Sequence, residues 1–244
     1  MDPQYGAEYA SLYNHHWWWR TREKIVVDTI RKYTSTLGNQ SIRILDVGCG
    51  DGLSFDAFSS FGECFGLETD SNLISESNPH RTRISKNPLS DHYPDSSSYD
   101  LVTALDVIEH VEDDTSFARN CMRILRPGGR LILTVPAFMT LWDQHDVINH
   151  HWRRYTRGSI RRLFEDSGLI IECRYLFPSL FFPKFIIAKI NRIRSKKMAQ
   201  TALPGTMVSR MMIWLLSMEH RINSLIRLPW GTSVMLVVHK PQNQ

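Results

Sequence analysis

Cysteine is scarce in this chain: the 244 residues hold 4, at Cys49, Cys64, Cys121 and Cys173, none in a C-x-x-C pair and none with a histidine at metal-ligand spacing. A disulfide-built secreted scaffold and a zinc module are therefore excluded; no metal site is expected, and a reducing, cytoplasmic setting is. Long apolar runs are missing too. The greasiest carboxy-terminal stretch, Leu176 to Ile190, is interrupted by Pro178, Pro183, Lys184 and Lys189, short of the roughly 20 clean apolar residues of a spanning helix. The amino terminus places Asp2 and Glu8 before any apolar run, unlike the basic and then apolar pattern of a secretory leader, so no leader is expected. Acidic residues are rare late in the chain: residues 151–244 hold 4 Asp+Glu against 16 Lys+Arg, a balance of +12. Residues 1–150 hold 21 against 13, a balance of −8, which leaves the overall +4. Such a split points either to an anionic partner of the carboxy-terminal part or to a solvated basic face.

With 42% apolar and 22% charged residues, the chain suffices for one α/β domain with a full core. Residues 7 to 37 carry helical spacing, with Trp18, Ile25, Val26, Ile30 and Tyr33 near one stripe. From Ile42 the texture becomes strand–helix alternation. Strands are expected at Ile42 to Val47, Cys64 to Leu67, near Arg83 to Ser85, and at Leu101 to Leu105, Leu131 to Val135, Leu169 to Phe177 and Ser233 to His239. Helices are expected through Phe58, over Asp114 to Leu125, and from a Thr156 cap to near Gly168, with Arg126 to Gly129 as a turn. Repeated β-α-β spacing predicts a Rossmann-like α/β fold: a seven-stranded, mostly parallel sheet with helices on both faces and an antiparallel last strand. The organisation expected is an amino-terminal helical lid (1–40), a core (41–177), a helical insert (178–230), and the last strand and tail (231–244). Within the insert, Phe182, Phe185, Ile186, Ile190 and Ile193 share one helical face, with Lys184, Asn191, Arg192, Arg194 and Lys196 around the other. Met207, Met211, Met212, Leu215, Met218, Ile222, Leu225 and Ile226 make the stripe of a second helix.

The chemistry is announced by Ile44-Leu45-Asp46-Val47-Gly48-Cys49-Gly50-Asp51-Gly52, a strand running into a glycine turn. Glycines let the backbone approach a ligand closely. A dinucleotide fold spells G-x-G-x-x-G to seat a pyrophosphate; here the last glycine comes too early and Asp46 stands before the turn. Asp46 would repel a pyrophosphate but can accept hydrogen bonds from an ammonium group. Glu68 closes the second strand, where a carboxylate accepts both hydroxyls of a ribose. An adenosine ligand with an amino-acid tail and no phosphates satisfies both carboxylates.

At these residues the chain resembles the class I S-adenosylmethionine-dependent methyltransferases, within them the broad group that includes the ubiquinone and menaquinone biosynthesis enzymes. Besides the Asp46 to Gly52 turn and Glu68, the resemblance is carried by Ser98-Tyr99-Asp100-Leu101-Val102, Leu105-Asp106-Val107-Ile108-Glu109-His110-Val111 and Leu125-Arg126-Pro127-Gly128-Gly129-Arg130-Leu131. It covers roughly Ile42 to Phe177. It implies S-adenosylmethionine as cofactor, with Asp46, Gly48 and Gly50 along the methionine moiety and Glu68 on the ribose. It further implies Leu105 and Asp106 beside the sulfonium, and Asn87 as the nearest match to the residue that contacts the adenine amine.

The loop after Val135 lies at the carboxyl ends of the strands, where ligands of such sheets bind. It carries His145, Asp146, His150, His151, Trp142 and Tyr155. Methyl transfer needs positioning, plus removal of a proton when the acceptor is a hydroxyl or an acidic carbon. His145 or His150 is the expected base, with Asp146 and Tyr155 as further catalytic candidates, and Trp142 and His151 as substrate contacts. Each histidine has the plainer alternative of a structural hydrogen bond, and Glu109-His110 is expected only to order a helix start. Trp17-Trp18-Trp19 cannot all face one core from a helix, so Trp18 and Trp19 are expected to close over the site. The expected acceptor is amphipathic or lipid-like, the alternative a small soluble metabolite or sugar. The insert either touches an anionic membrane peripherally, at its inner face, or packs its stripes inward. The chain has neither an Asn-Pro-Pro-Tyr motif nor a Pro-Cys pair, so nucleic acid is not the expected substrate; a non-enzymatic binding module is the remaining rival. Oligomeric state is silent.

Overall fold

In the computed structural model, which describes residues 10–35, 41–90, 93, 98–194 and 204–242, seven strands form one sheet, with the strands, numbered along the chain, lying side by side in the order third, second, first, fourth, fifth, seventh, sixth. The outer residues of the expected 7–37 helix, Asp2, Glu8, Lys196 and the side chains of Arg192, Ile193 and Arg194 lie outside the described residues. A helical turn, α1 (10–15), leads into α2 (Trp17–Thr34), whose first turn is capped by His16 accepting from the Trp18 N–H at 3.2 Å. Its buried face is Thr21, Arg22, Ile25, Val26, Thr29 and Ile30, at the three- and four-residue spacing of a helix on a core.

Then follow β1 (Ile42–Val47), the short α3 (Phe55–Phe58), β2 (Gly62–Leu67), β3 (Ile84–Ser85), β4 (Tyr99–Leu105), α4 (Asp114–Ile124) and β5 (Leu125–Pro136). β1, β2, β3, β4 and β5 pair in parallel; β7 is antiparallel to both β5 and β6. Ile44, Leu45, Leu101, Val102, Leu131 and Ile132 are fully buried, because helices cover both faces of a parallel sheet and its strands then read as continuous apolar runs. β5 corrects one expectation. Arg126 to Gly129 is no free turn but part of the strand: Gly128 N–H donates to Lys240 O and Lys240 N–H to Gly129 O, both at 2.9 Å.

Beyond β5 come α5 (Gln144–Ile148), α6 (Arg157–Arg162) capped by Thr156, β6 (Leu169–Leu176), α7 (Phe181–Arg194), α8 (Thr206–Ile226) and β7 (Ser233–His239). The insert helices pack differently from their patterning. On α8 the buried residues are Ser209, Leu216 and Asn223, and Leu216 joins Ile25, Leu176, Phe177 and Met235 in one cluster. Asn223 Nδ2 donates to Tyr175 O at 2.7 Å, which pins the helix to β6. The methionine and leucine stripe turns largely outward, with Met207 83% and Leu225 84% exposed. On α7, Phe182, Ile186, Ile187 and Ile190 are exposed and Ala188 is buried. Among the described residues, no helix is long and apolar enough to cross a membrane.

Candidate active site

Strand order reverses at β1, which has β2 on one side and β4 on the other. Such a switch point leaves a crevice at the carboxyl ends of the strands. A cavity of about 860 Å³ opens there, running from Gly48, Gly50 and Glu68 past Asp106 to Pro183, Ile187 and Asn191 of α7.

The glycine turn forms one end. Gly48 has φ +70° and a Cβ on it would stand 2.5 Å from Val107 Cγ2, so both backbone and space require glycine. Gly50, at φ +54°, donates its N–H to Glu68 Oε2 at 3.0 Å, while Glu68 Oε1 accepts from Asp70 N–H at 2.8 Å. Each carboxylate oxygen keeps a further lone pair, so Glu68 is fixed in the wall yet able to accept from a ligand. Leu105 and Asp106 close this side, Asp106 at φ +59° with Thr134 Oγ1 donating to it at 3.0 Å. A strained non-glycine residue at a strand end is a common mark of a functional position.

Two expected cofactor contacts do not line the cavity. Asp46 lies beneath the turn, accepting from Ser54 Oγ at 2.5 Å and Thr103 Oγ1 at 2.6 Å. Burial pushes its carboxyl up against those two hydrogen bonds, so it shapes the turn from below. Asn87 is exposed, its N–H on Ser85 Oγ at 3.3 Å, and Asn72, Leu73 and Ser75 occupy that wall instead.

Trp17, Trp18 and Trp19 are all half-buried and all line the cavity. Their partner is Arg22, one turn further along α2, a residue the sequence reading passed over. Its guanidinium lies 5.1 Å from the Trp18 ring centroid and 4.5 Å from that of Trp19, and it is ion-paired to Asp106.

At the other end, α5 begins with a capping box: Asp143 accepts from His145 N–H at 3.0 Å, and Asp146 accepts from Asp143 N–H at 2.9 Å. His145 lines the cavity near Lys184 and within 3.2 Å of the Asn149 amide; burial, with Lys184 beside it, takes its pKa down to about 4. It is thus a neutral imidazole. His150 does not reach the cavity: it is exposed with φ +56°, and the chain turns His151 inward in its place.

Asp146 and Tyr155 are corrected from catalytic to structural positions. Asp146 is fully buried and accepts from His151 Nδ1 at 2.8 Å and from Arg154 Nε at 2.8 Å and Nη2 at 3.0 Å. Although burial opposes ionisation, these donors hold its carboxyl well below the usual range. Tyr155 donates to Asp114 Oδ2 at 3.0 Å, and burial with the Asp114 charge pushes its hydroxyl above the ordinary value. Trp142 is half-buried and does not line the cavity. Glu109 and His110, expected only to order a helix start, are cavity residues.

The chain matches a family described as a methyltransferase domain over residues 18–173. It is 28% identical over 139 residues to a Mycolicibacterium smegmatis protein named a probable S-adenosylmethionine-dependent methyltransferase, 53% of this chain and 52% of that one. It is 27% identical over 138 residues to the ubiquinone biosynthesis O-methyltransferase of Methylococcus capsulatus, 49% of this chain and 56% of that one. The chain thus spans about half the length of these curated relatives. Among solved structures, a SAM-dependent methyltransferase from Archaeoglobus fulgidus superposes with TM-score 0.54 at 14% identity, covering 89% of this chain and 94% of that chain. Phosphoethanolamine N-methyltransferase 2 of Haemonchus contortus, solved with S-adenosylhomocysteine, does so with TM-score 0.55 at 16% identity, covering 88% and 53%. At these identities the structural likeness is one of fold.

Proposed function

The chain belongs to the class I S-adenosylmethionine-dependent methyltransferases, and from that premise we propose that it transfers the methyl group of S-adenosylmethionine to a hydroxyl of an amphipathic, lipid-like acceptor. The observation that carries this reading is that one cavity joins the Gly48–Gly50 turn and Glu68 to α7, where Pro183 and Ile187 line it beside Lys184 and Asn191. The relatives named ubiquinone biosynthesis O-methyltransferases favour oxygen as the acceptor atom and an apolar tail behind it.

The residues present fit the cofactor. The cradle at Gly48 would be filled by a Cβ, and Glu68 supplies a fixed carboxylate for ribose hydroxyls. Asp106 supplies negative charge where a sulfonium would lie, shared with Arg22. When bound, S-adenosylmethionine supplies a methyl carbon made electrophilic by the positive sulfur. The chain's own work is positioning, exclusion of water by Trp17 to Trp19, and removal of the acceptor proton by neutral His145. His151, oriented by Asp146, sets the other side of the acceptor chamber.

We further propose that the insert rests on an anionic phospholipid surface. Phe182, Ile186 and Ile190 of α7 and Met207, Met211 and Trp214 of α8 are exposed, and residues 151–244 carry +12. An amphipathic helix of this composition lies in the headgroup boundary, where each Lys or Arg contributes about 1 kcal/mol.

Incubating the purified protein with methyl-labelled S-adenosylmethionine and cell extract, then partitioning between organic and aqueous phases, tests the acceptor. Label in the organic phase is expected; label confined to the aqueous phase overturns the lipid-like acceptor in favour of a soluble metabolite.

A further inference from the structure

On the wall of the same cavity, Glu109, His110 and His151 form a cluster whose combined ligand set the chemistry described above does not use. Glu109, His110 and His151 each offer a ligand atom, and these atoms lie within 4.8 Å of one another. The two imidazoles meet edge to face with centroids 4.5 Å apart. Glu109 is fully buried, and among the described residues neither carboxylate oxygen has a hydrogen-bond partner. A buried carboxylate without a donor is costly and seldom left so. The nearby guanidinium groups are engaged at other carboxylates, Arg22 at Asp106 and Arg154 at Asp146.

His151 is held from behind. Asp146 accepts from His151 Nδ1 at 2.8 Å, and Arg154 locks Asp146 through two hydrogen bonds, which leaves the His151 Nε2 lone pair free. A carboxylate on the far nitrogen is the arrangement that orients a metal-ligating imidazole and makes it more basic.

We propose that Glu109, His110 and His151 bind one divalent transition-metal ion of the zinc type, with its remaining positions open to the acceptor. Two imidazoles and one carboxylate suit zinc-like ions and not magnesium or calcium, which take oxygen ligands. Three protein ligands with an open position mark a catalytic site and not a structural one. The role rests on the O-methyl transfer proposed above. The acceptor hydroxyl binds the ion through oxygen, which lowers its pKa, and its proton passes to His145 in the same cavity. The oxygen lone pair then forms the new C–O bond as the C–S bond breaks, and that bond's electron pair stays on sulfur as a neutral thioether. No spacing in the sequence marks this site, because His151 comes from a different loop than Glu109-His110.

The test is titration of the chelator-stripped, full-length protein with Co²⁺, read by its visible absorption, alongside calorimetric titration with S-adenosylmethionine. One equivalent of Co²⁺ is expected, displaced by Zn²⁺, with affinity at least tenfold lower in both Glu109→Gln and His151→Asn while circular dichroism and cofactor affinity stay as in the parent. Absence of binding by the folded parent protein, or unchanged affinity in both variants, overturns the site. Methyl transfer that survives stripping undiminished overturns the metal's role and leaves the proposed activity standing. Cobalt binding without methyl transfer to any hydroxyl supports the site and overturns the O-methyl reading.

Discussion

Arg22, buried on the amino-terminal helix, is ion-paired to Asp106 at the end of β4, and the same guanidinium lies against Trp18 and Trp19. One side chain therefore ties the helix before the sheet to the residue at the mouth of the cavity. Breaking a buried pair from one side leaves the other charge without its partner, at about 3–5 kcal/mol. Arg22→Ala is expected to destabilise the protein by about 3 kcal/mol and to weaken cofactor binding, since Asp106 and the tryptophans lose their common anchor. Denaturant unfolding and calorimetric titration with S-adenosylmethionine check both; unchanged cofactor affinity would separate the helix from the site.

Gly48 is the second sensitive point. Its positive φ and the 2.5 Å approach of Val107 Cγ2 to a would-be Cβ mean that Gly48→Ala forces strain and a shift of β4's following loop together. The expected cost is about 1–3 kcal/mol in stability, from the strained conformation, with a larger fractional loss of cofactor affinity. Gly158→Ala, where a Cβ meets only Thr156 Oγ1 at 3.8 Å, is the matched control and is expected to be near neutral.

How much of this was legible in the sequence follows from where each feature gets its determinants. β1 and its glycine turn were readable because a buried parallel strand is a continuous apolar run and a left-handed backbone demands glycine. The extension of β5 through Arg126 to Gly129 was not, because its partner is Lys240, far along the chain. Periodicity found the apolar stripe of α8 but could not say which face the core would cover; Ser209, Leu216 and Asn223 are buried because α2 and β6 meet that face. In the site loop, His150 and His151 are indistinguishable by type; the left-handed backbone at His150 and the Asp146 carboxylate on His151 Nδ1 accompany the entry of the second one into the cavity.

Acid sensitivity should come in part from His220 of α8, which Arg174 of β6 approaches at 3.2 Å. Burial, with the charges of Arg174, Arg221 and Lys24 outweighing Glu172, lowers its pKa from 6.5 to about 4. The unfolded chain takes up this proton first, so stability is full above pH 6.5 and falls as the pH drops toward about 4. His110 and His145 are shifted the same way. In chelator-treated protein, His220→Gln is therefore expected to reduce the slope of unfolding free energy against pH by up to about 1.4 kcal/mol per pH unit without abolishing it. Chemical denaturation at a series of pH values between those limits measures it, and an unaltered slope refutes the assignment.

The two faces of α8 should respond oppositely to truncation. Leu216 is 2% exposed and fills the junction of α2, β6 and β7, so Leu216→Ala is expected to cost about 2–5 kcal/mol. Trp214, 63% exposed, has little to lose in the folded chain, and Trp214→Ala should leave the unfolding midpoint nearly unchanged. If the outward stripe rests on lipid, the same Trp214→Ala substitution lowers co-sedimentation with phosphatidylglycerol vesicles, and parent binding weakens as salt screens the basic residues around the stripe. Vesicle binding by the parent that ignores both salt and the substitution would rule the surface out as a membrane contact. A concentration-dependent rise in mass by light scattering, lost in Trp214→Ala, would assign the stripe to a second copy of the chain instead.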